Sequence, residues 1–433
     1  MNRSLWEETV SLPSFNRLEK DENTDILVIG GGMAGILCAF FLKQAGIDYI
    51  LCEANTIGSG TSSRTTAVIS AQHDTLYSDL IKKFGYRKAR FYLEANLQAL
   101  SGYQKLCRNI DCDFEEKPSY MYSRDDARVM AKEVKALHSL GFPARLCFQL
   151  PLPENIVAAV EFPAQAQFHP LKFIASISKG LNIREHAQIQ KIDQNVAYTA
   201  KHKIKANKII VASHFPIMNT HGMYFAKLYQ TRSYVVAFEN AAQYDGTFVD
   251  HGKHGLYFRN YKDLLLVGGG DHRTGQRGGG YALIRRFVHD NYPDAREKYC
   301  WATQDCMSLD GVPYIGRYSK SLNHVFVASG FNEWGMTSSM VAARLITDMI
   351  KGKQNNFSEI FDPSRNMISA QLFANVGVTL ADFVIPSTKR CPHLGCTLKW
   401  NAQEHSWDCP CHGSRFDQNG KLIDNPATGN LKM

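Results

Sequence analysis

Two short stretches near the carboxyl end, CPHLGC at 391–396 and CPCHGSRF at 409–416, hold four cysteines and two histidines. Thiolate and imidazole groups bind zinc and also iron–sulfur clusters. Closed zinc sites favour paired cysteines at C-x2-4-C spacing, whereas these stretches also combine cysteine with histidine, as C-x-H and C-x-x-H. The residue types therefore predict a metal centre, and both zinc and an iron–sulfur cluster remain open at this point.

A second group of residues with chemical meaning lies in TDILVIGGGMAGILCAFFLKQAGIDYILCEA at 24–54. An apolar strand runs into Gly30, Gly32 and Gly35 in G-x-G-x-x-G spacing, and a helix and a second strand ending at Glu53 follow. Such glycines let backbone N–H groups and a helix N-terminus approach a pyrophosphate, and an acidic residue about 20 positions later suits a ribose. This pattern predicts a dinucleotide site.

The elements that must position these residues are mixed along the chain. The patterns predict helices over 77–108 and 125–140, and short strands over 235–238, 255–259 and 264–267. Further strands typical of a nucleotide-binding sheet occur in KIIVASHFP and HVFVASGFNEWGMTSSMVAARLI, so the nucleotide domain is predicted to be discontinuous. We find no second strand, G-x-G-x-x-G and helix unit, which predicts one dinucleotide site only.

Composition excludes several classes of protein. The chain has 433 residues, 44% of them hydrophobic, and a formal charge of +8 that is spread without a long basic run. It has no nucleic-acid signature, no signal-peptide pattern and no apolar run long enough to span a bilayer. Seven of the eleven cysteines are dispersed and are expected to be buried thiols. The sequence predicts a cytoplasmic globular protein.

Five spaced motifs, GSGTSSRTTA, QFHPLKF, IIVASHFP, DGVPYIGR and GFNEWGMT, occur in this order after Glu53. Over about residues 20–352 the chain resembles the FAD-dependent oxidoreductases of the D-amino-acid oxidase and glycine oxidase superfamily. The resemblance implies FAD as cofactor and hydride transfer from a C–N or C–O bond. The residues it places at FAD are Gly30, Gly32, Gly35, Glu53, Thr61, Ser62, Arg64, Thr65, Thr66, Ile189, Gly335, Met336 and Thr337.

The terminal cysteines and histidines resemble those of a Rieske [2Fe–2S] protein, in which two cysteines bind one iron and two histidines the other. The resemblance implies Cys391, His393, Cys409 and His412 as ligands, and a possible disulfide between Cys396 and Cys411. Respiratory members commonly have tyrosine where this chain has Phe416, which predicts a cluster potential in the lower part of the Rieske range. The segment before Cys391 is short for a Rieske base, so we expect the cluster region to dock on the flavin domain or on another subunit.

The expected fold class is α/β, with a Rossmann-like FAD-binding domain, an α+β substrate domain and a small all-β cluster-binding subdomain. The predicted ranges are 20–80, 165–220 and 306–352 for the FAD domain, 81–164 and 221–305 for the substrate domain, 353–385 for a linker and 386–433 for the Rieske subdomain.

Candidate catalytic residues come from the predicted substrate domain and, for two histidines, from the predicted FAD domain. They are Arg232, Tyr257, Arg259 and His272, with Tyr234, His73 and His214 of similar standing. In the superfamily that the chain resembles, a substrate carboxylate often meets an Arg and a Tyr, because a bidentate guanidinium fixes the orientation of the reacting carbon.

The predicted function is oxidation of a small amine, amino acid or hydroxy acid by hydride transfer to FAD. Electrons then pass singly through the cluster to a carrier such as ferredoxin or flavodoxin. The alternatives are an oxidase that uses oxygen and a non-metabolic electron-transfer module.

Overall fold

A computed structural model describes residues 2–218, 221–252, 255–365 and 389–432 of the chain. The predicted linker lies partly outside these residues, and the stretch FANVGVTLADFVIP lies wholly outside them. In chain order the helices are α1 Leu5–Thr9, α2 Met33–Gln44, α3 Leu76–Cys107, α4 Ala127–Ser139, α5 Pro170–Ile177, α6 Tyr224–Lys227, α7 Ala282–Asn291, α8 Gly335–Ile350 and α9 Ser358–Phe361.

The strands fall into three sheets. In chain order they are β1 Glu22–Ile29, β2 Tyr49–Cys52, β3 Val68–Ile69, β4 Glu115–Ser123, β5 Arg145–Cys147, β6 Ala158–Gln167, β7 Ile183–Arg184, β8 Lys191–Asp193, β9 Val196–Tyr198, β10 Lys203–Val211, β11 Leu228–Glu239, β12 Thr247–Asp250, β13 Tyr257–Tyr261, β14 Leu264–Arg273, β15 Arg296–Ser308, β16 Tyr314–Ser319, β17 Leu322–Ser329, β18 Lys399–Asn401, β19 Ser406–Asp408, β20 Arg415–Asp417 and β21 Leu422–Asp424.

The first sheet has the strand order β16–β17–β10–β1–β2–β7, with β9 paired to β10 and β8 to β9. Strand β1 pairs in parallel with β2 and β10, and β10 pairs in parallel with β17. Its residues Ile26 to Ile29 are all buried, as expected for a central parallel strand covered on both faces. All strands of this sheet fall within the three ranges predicted for the FAD domain.

The turn from β1 into α2 depends on glycine. Gly30 has φ of 109°, a conformation that side chains disfavour, and a Cβ on Gly35 would lie 1.8 Å from the carbonyl oxygen of Gly30. The helix can therefore approach the strand closely, and its first turn faces the end of the sheet.

The second sheet has the order β15–β11–β14–β13–β12–β4–β6–β3, with β5 paired to β6. Its pairs are antiparallel except for β12 with β4. The short strand β3 belongs to this sheet although the predicted ranges give it to the FAD domain, and β15 crosses the predicted boundary at 305/306. The bounds between the two sheets therefore lie at other residues than the predicted ranges give, because strand pairing and not composition decides which sheet a segment joins.

The third sheet is an antiparallel meander, β18–β19–β20–β21, near the carboxyl end. Its small core contains the four terminal cysteines and Phe416, all of them buried. The all-β cluster-binding subdomain expected from the sequence is confirmed. Among the described residues, no helix has the length and apolar character needed to cross a membrane.

Candidate functional site: a flavin cleft beside an iron–sulfur centre

A cleft of about 460 Å³ opens at the carboxyl ends of β1, β2, β10 and β17. This edge of a parallel sheet is where nucleotide ligands bind in open α/β folds. The predicted FAD residues that line the cleft are Gly30, Gly32, Glu53, Thr61, Ser62, Arg64, Thr65, Ile189, Gly335 and Met336.

The N-terminus of α2 fits a pyrophosphate. A Cβ on Gly30 would lie 2.5 Å from the carbonyl oxygen of Ala212, so only glycine fits at this point, where the backbone also lines the cleft. Glu53 accepts hydrogen bonds from the N–H groups of Gly31 at 2.6 Å and Asn55 at 2.8 Å, and burial raises the pKa of its carboxyl. These residues suit FAD, with the helix N-terminus at its phosphates.

Three predicted FAD residues lie elsewhere. Gly35 is buried in the first turn of α2, where it permits close packing of the helix on the end of β1. Thr337 is buried in α8, where its hydroxyl donates to the carbonyl of Ser70 at 3.1 Å. Thr66 lines a neighbouring chamber and not the main cleft. The motif spacing alone could not separate residues that face the ligand from residues that pack behind it.

That neighbouring chamber, here called the side chamber, is about 90 Å³ and shares Thr61, Arg64, Thr65, Asp305, Glu333 and Met336 with the cleft. Two predicted catalytic residues, Tyr257 and Arg259, line it. Arg259 is 2% exposed, and its Nη1 donates to the carbonyls of Thr66 and Ala67. Its Nη2 has no hydrogen-bond partner among the described residues. A buried, oriented guanidinium with a spare N–H group is a site for an anionic group of a ligand.

Three carboxylates also line the side chamber: Asp74, Asp305 and Glu333. Burial, the charge of Asp271 and that of Asp305 raise the pKa of Glu333 well above its usual value. Burial raises the pKa of Asp305 to about 7, although Arg232 opposes this. Sequence reasoning missed these residues, because each stands in a different segment and no local motif unites them.

The other predicted catalytic residues lie outside the side chamber. Arg232 lines the main cleft, but its guanidinium forms a buried ion pair with Glu404, from the hairpin between β18 and β19. His272 lines neither cavity and stacks on Tyr234, with ring centroids 5.9 Å apart. Residue type beside a strand could not reveal these tertiary contacts, and a catalytic role for either residue stays a prediction.

Two further histidines have distinct settings. His73 is buried against Tyr92, 2.6 Å from its hydroxyl, and burial lowers the pKa of its imidazole to about 3. His214 lines the main cleft, with Nε2 3.1 Å from Oε1 of Gln230, and burial lowers its pKa as well. Both imidazoles are therefore neutral near pH 7.

The terminal cysteines and histidines converge into one centre. The ligand atoms of Cys396, Cys409, Cys411 and His412 all lie within 4.8 Å of one another. Cys391 is hydrogen-bonded to Cys409, and the ring centroids of His393 and His412 are 4.9 Å apart. The four predicted ligands thus meet, and Cys396 and Cys411 join the same group. No S–S bond joins these two thiols, which contact each other by a hydrogen bond, so the disulfide stays a prediction.

The donor set fits a [2Fe–2S] cluster. Nε2 of His412 lies 3.1 Å from the carbonyl oxygen of Phe225, and its buried Nδ1 has no hydrogen-bond partner among the described residues. With the proton held on Nε2 by that carbonyl, Nδ1 presents its lone pair to a metal. In this arrangement Nδ1 of His412 would bind iron.

The cluster region docks on the flavin-binding part of the chain. The side chain of Gln230 donates to the carbonyl of His412 at 2.7 Å, and that of Gln304 donates to the carbonyl of Gly413 at 2.8 Å. The side-chain amide of Asn425 donates to the carbonyls of Ser213 and Phe215. The cluster-region residues that line the FAD cleft are Lys421, Leu422, Ile423, Asp424, Asn425, Ala427, Thr428 and Asn430. Docking within one chain, one of the two arrangements expected from the sequence, is what the structure shows.

Comparison with known proteins agrees with this geometry. The family model described as FAD dependent oxidoreductase matches residues 25–349, and the Rieske [2Fe-2S] domain model matches residues 383–433. The chain is 33% identical to YhfW of Bacillus subtilis (strain 168), whose name describes a Rieske 2Fe-2S iron-sulfur protein, over 99% of this chain and 97% of that one.

Two solved structures have the same flavin fold. Glycine oxidase from Geobacillus kaustophilus superposes with a TM-score of 0.66 at 19% identity, covering 80% of this chain and 100% of that one. L-proline dehydrogenase from P. horikoshii has a TM-score of 0.67 at 19% identity, covering 80% and 98%. The chain therefore belongs to the FAD-dependent oxidoreductases of the D-amino-acid oxidase superfamily and carries a Rieske [2Fe–2S] domain at its carboxyl end.

Proposed function

We propose that this FAD and iron–sulfur oxidoreductase oxidises a small amine, amino acid or hydroxy acid and delivers the electrons singly, through its own cluster, to an external carrier such as ferredoxin or flavodoxin. FAD supplies a two-electron hydride acceptor, and the Rieske cluster supplies a one-electron carrier. The protein residues bind the substrate, exclude water and hold the two cofactors next to each other.

One observation carries the proposal: the Rieske region forms a wall of the FAD cleft. Gln304 lines that cleft, and the same side chain donates to Gly413, the residue after the ligand His412. Gln230 contacts both Gln304 and the carbonyl of His412, so two side chains connect the cleft with the cluster loop. Contacts of this kind give electrons a short path inside one chain.

The side chamber supports a small substrate beside the cleft. Arg259 offers its free Nη2 to a substrate carboxylate, and Tyr257 lies on the same wall. The two structural neighbours are named as enzymes of glycine and of L-proline, which supports a nitrogen-bearing substrate for this chain as well.

Removal of the cluster tests the electron route. We expect the variants Cys391→Ala and His412→Ala to lose the iron–sulfur signal in EPR spectra and to keep FAD, because different parts of the chain hold the two cofactors. Substrate should still bleach the flavin in a single turnover, whereas steady-state transfer to a one-electron acceptor falls to background. The matched control is Cys147→Ala, a thiol far from the cluster loops in sequence, which should behave as the parent does. Equal steady-state rates in parent and variants would show that the flavin is reoxidised directly, for example by oxygen.

A further inference from the structure

The side chamber is lined by more carboxyl groups than arginines. Asp74, Asp305 and Glu333 line it; burial and the charges of Asp305 and Asp74 raise the pKa of nearby Asp271, and burial and the charge of Asp271 raise that of Glu333. Two arginines line the chamber. Arg64 forms other interactions, and Nη1 of Arg259 donates hydrogen bonds to the carbonyls of Thr66 and Ala67. Carboxylates buried near one another are unfavourable unless a cation or protons join them.

These carboxylates point at space that a ligand can occupy. Glu333 lies among protein atoms, and its side chain is accessible through the two cavities that it lines. Glu333 and Asn332 both have positive φ, 70° and 51°, so the backbone is strained where it presents this side chain. The nearest described hydrogen-bond partner of Glu333 is the hydroxyl of Thr231, at a long 3.4 Å. No lysine or arginine side chain forms an ion pair with Asp305 or Glu333 among the described residues.

Unpartnered polar atoms in the same chamber independently indicate a bound ligand. The Nη2 atom of Arg259 and the hydroxyl of Thr303 are both buried, and neither has a hydrogen-bond partner among the described residues. Most buried polar atoms in proteins are hydrogen-bonded, so two such atoms on one cavity wall imply a polar occupant. The chamber therefore offers a donor for an anion and acceptors for a cation.

We propose that the substrate is a cationic amine: Asp305 and Glu333 receive its ammonium groups, and Arg259 receives a carboxylate where the substrate has one. This rests on the proposed function and narrows its substrate class, since hydroxy acids carry no ammonium group. Charge complementarity favours molecules with two amino groups, such as a diamino acid or a diamine. The carboxylates act here as binding groups and are not required to form any covalent bond.

The test uses four probes with similar carbon chains that differ in charged groups: ornithine, 1,4-diaminobutane, norvaline and 2-hydroxypentanoate. Dissociation constants are measured on the anaerobic holoenzyme by isothermal titration and by perturbation of the flavin absorption spectrum. A charge-assisted hydrogen bond is worth about 1.5 to 3 kcal/mol, so each ammonium should tighten binding at least about tenfold. Ornithine should therefore bind most tightly and 2-hydroxypentanoate most weakly.

Charge-removing variants locate the effect. Asp305→Asn and Glu333→Gln should each weaken binding of 1,4-diaminobutane at least about tenfold and leave 2-hydroxypentanoate unweakened. Arg259→Gln should weaken the binding of ornithine and leave the binding of 1,4-diaminobutane unchanged, because the diamine has no carboxylate. Asp245→Asn, at a carboxylate with 85% side-chain exposure, is the control and should change neither.

Two results would overturn the inference: 2-hydroxypentanoate binding as tightly as ornithine, or unchanged diamine affinity in both carboxylate variants when they retain FAD. If one of the two carboxylate variants does not fold, the diamine affinity of the other variant and the affinities of the four probes for the parent decide the test. The proposed function is tested separately by photochemical reduction of the flavin without substrate. If illumination reduces the cluster but amines bind weakly, the proposed substrate class is wrong while the proposed electron route stands.

Discussion

Phe416 shows how a single side chain can tune the cluster. It is fully buried in the core that holds the four terminal cysteines, and it pairs with Trp407 across β19 and β20. The hydroxyl of Ser414 contacts Cys391 and also accepts from the N–H of Ala427 at 3.0 Å. Ser414 therefore supplies a hydroxyl group next to β20, whereas Phe416 has no group that could donate a hydrogen bond.

A tyrosine at this position should raise the reduction potential of the cluster. Hydrogen bonds to cluster sulfurs stabilise the more negative, reduced state. We expect Phe416→Tyr to raise the midpoint potential of the cluster in a redox titration followed by EPR. The control Phe416→Leu adds no donor and should not show this upward shift. An unchanged or lower potential in a tyrosine variant with an intact cluster would show that residue 416 does not face a cysteine sulfur.

At the scale of elements, the hairpin between β18 and β19 is anchored by buried charges. Glu404 pairs with Arg232 of β11 and, at 2.8 Å, with Arg415 of β20. Burial by itself would raise the pKa of Glu404, but the charges of the two guanidinium groups lower it to about 2. Removing one partner of a buried pair leaves an uncompensated charge, which typically costs about 3–5 kcal/mol.

This pair predicts an acid-sensitive contribution to stability. The carboxyl pKa is lower in the folded state than the unfolded value of about 4.3, so the contribution is fully present above pH 4.3 and is lost as the pH falls towards 2. In denaturant unfolding, Glu404→Gln should be less stable than the parent by about 3 kcal/mol at pH 7, and the difference should shrink below pH 4.3. The control Glu359→Gln removes an exposed pair with Arg87 and should change stability little at either pH. A difference that stays constant down to pH 3 would contradict the charge assignment.

How much of this could be read from the sequence differs between elements. The unit β1–α2–β2 was predictable because glycine spacing and apolar runs are local signals, and most of its predicted FAD residues line the cleft. The segment predicted as a helix over 77–108 is helical in α3, Leu76–Cys107, with a kink at Gly85. The partner of Arg232 was not predictable, because Glu404 is distant in the sequence and the ion pair exists only once the Rieske region docks. Asp305 and Glu333 stand in different segments as well, and only the fold brings the end of β15 and the loop after β17 to one chamber.

In the whole molecule the two cofactor sites adjoin each other, because the cluster region lines part of the FAD cleft. The parallel sheet provides the cleft, the second sheet provides the side chamber, and the carboxyl-terminal meander covers the cleft with residues 421–430. The small meander has a core of few residues and gains burial by packing against β11 and β15, which carry Gln230 and Gln304. Docking therefore serves both the stability of the cluster region and the closeness of the two cofactors.

The central claim is that electrons pass from FAD to the cluster inside one chain. Its most direct test is anaerobic photochemical reduction of the flavin in the holoenzyme, with rapid freezing and EPR detection of the reduced [2Fe–2S] cluster at several protein concentrations. We predict that the cluster signal grows as the flavin loses one electron, with a first-order rate that does not change with protein concentration. A cluster that stays oxidised, or a rate that rises in proportion to concentration, would contradict the account.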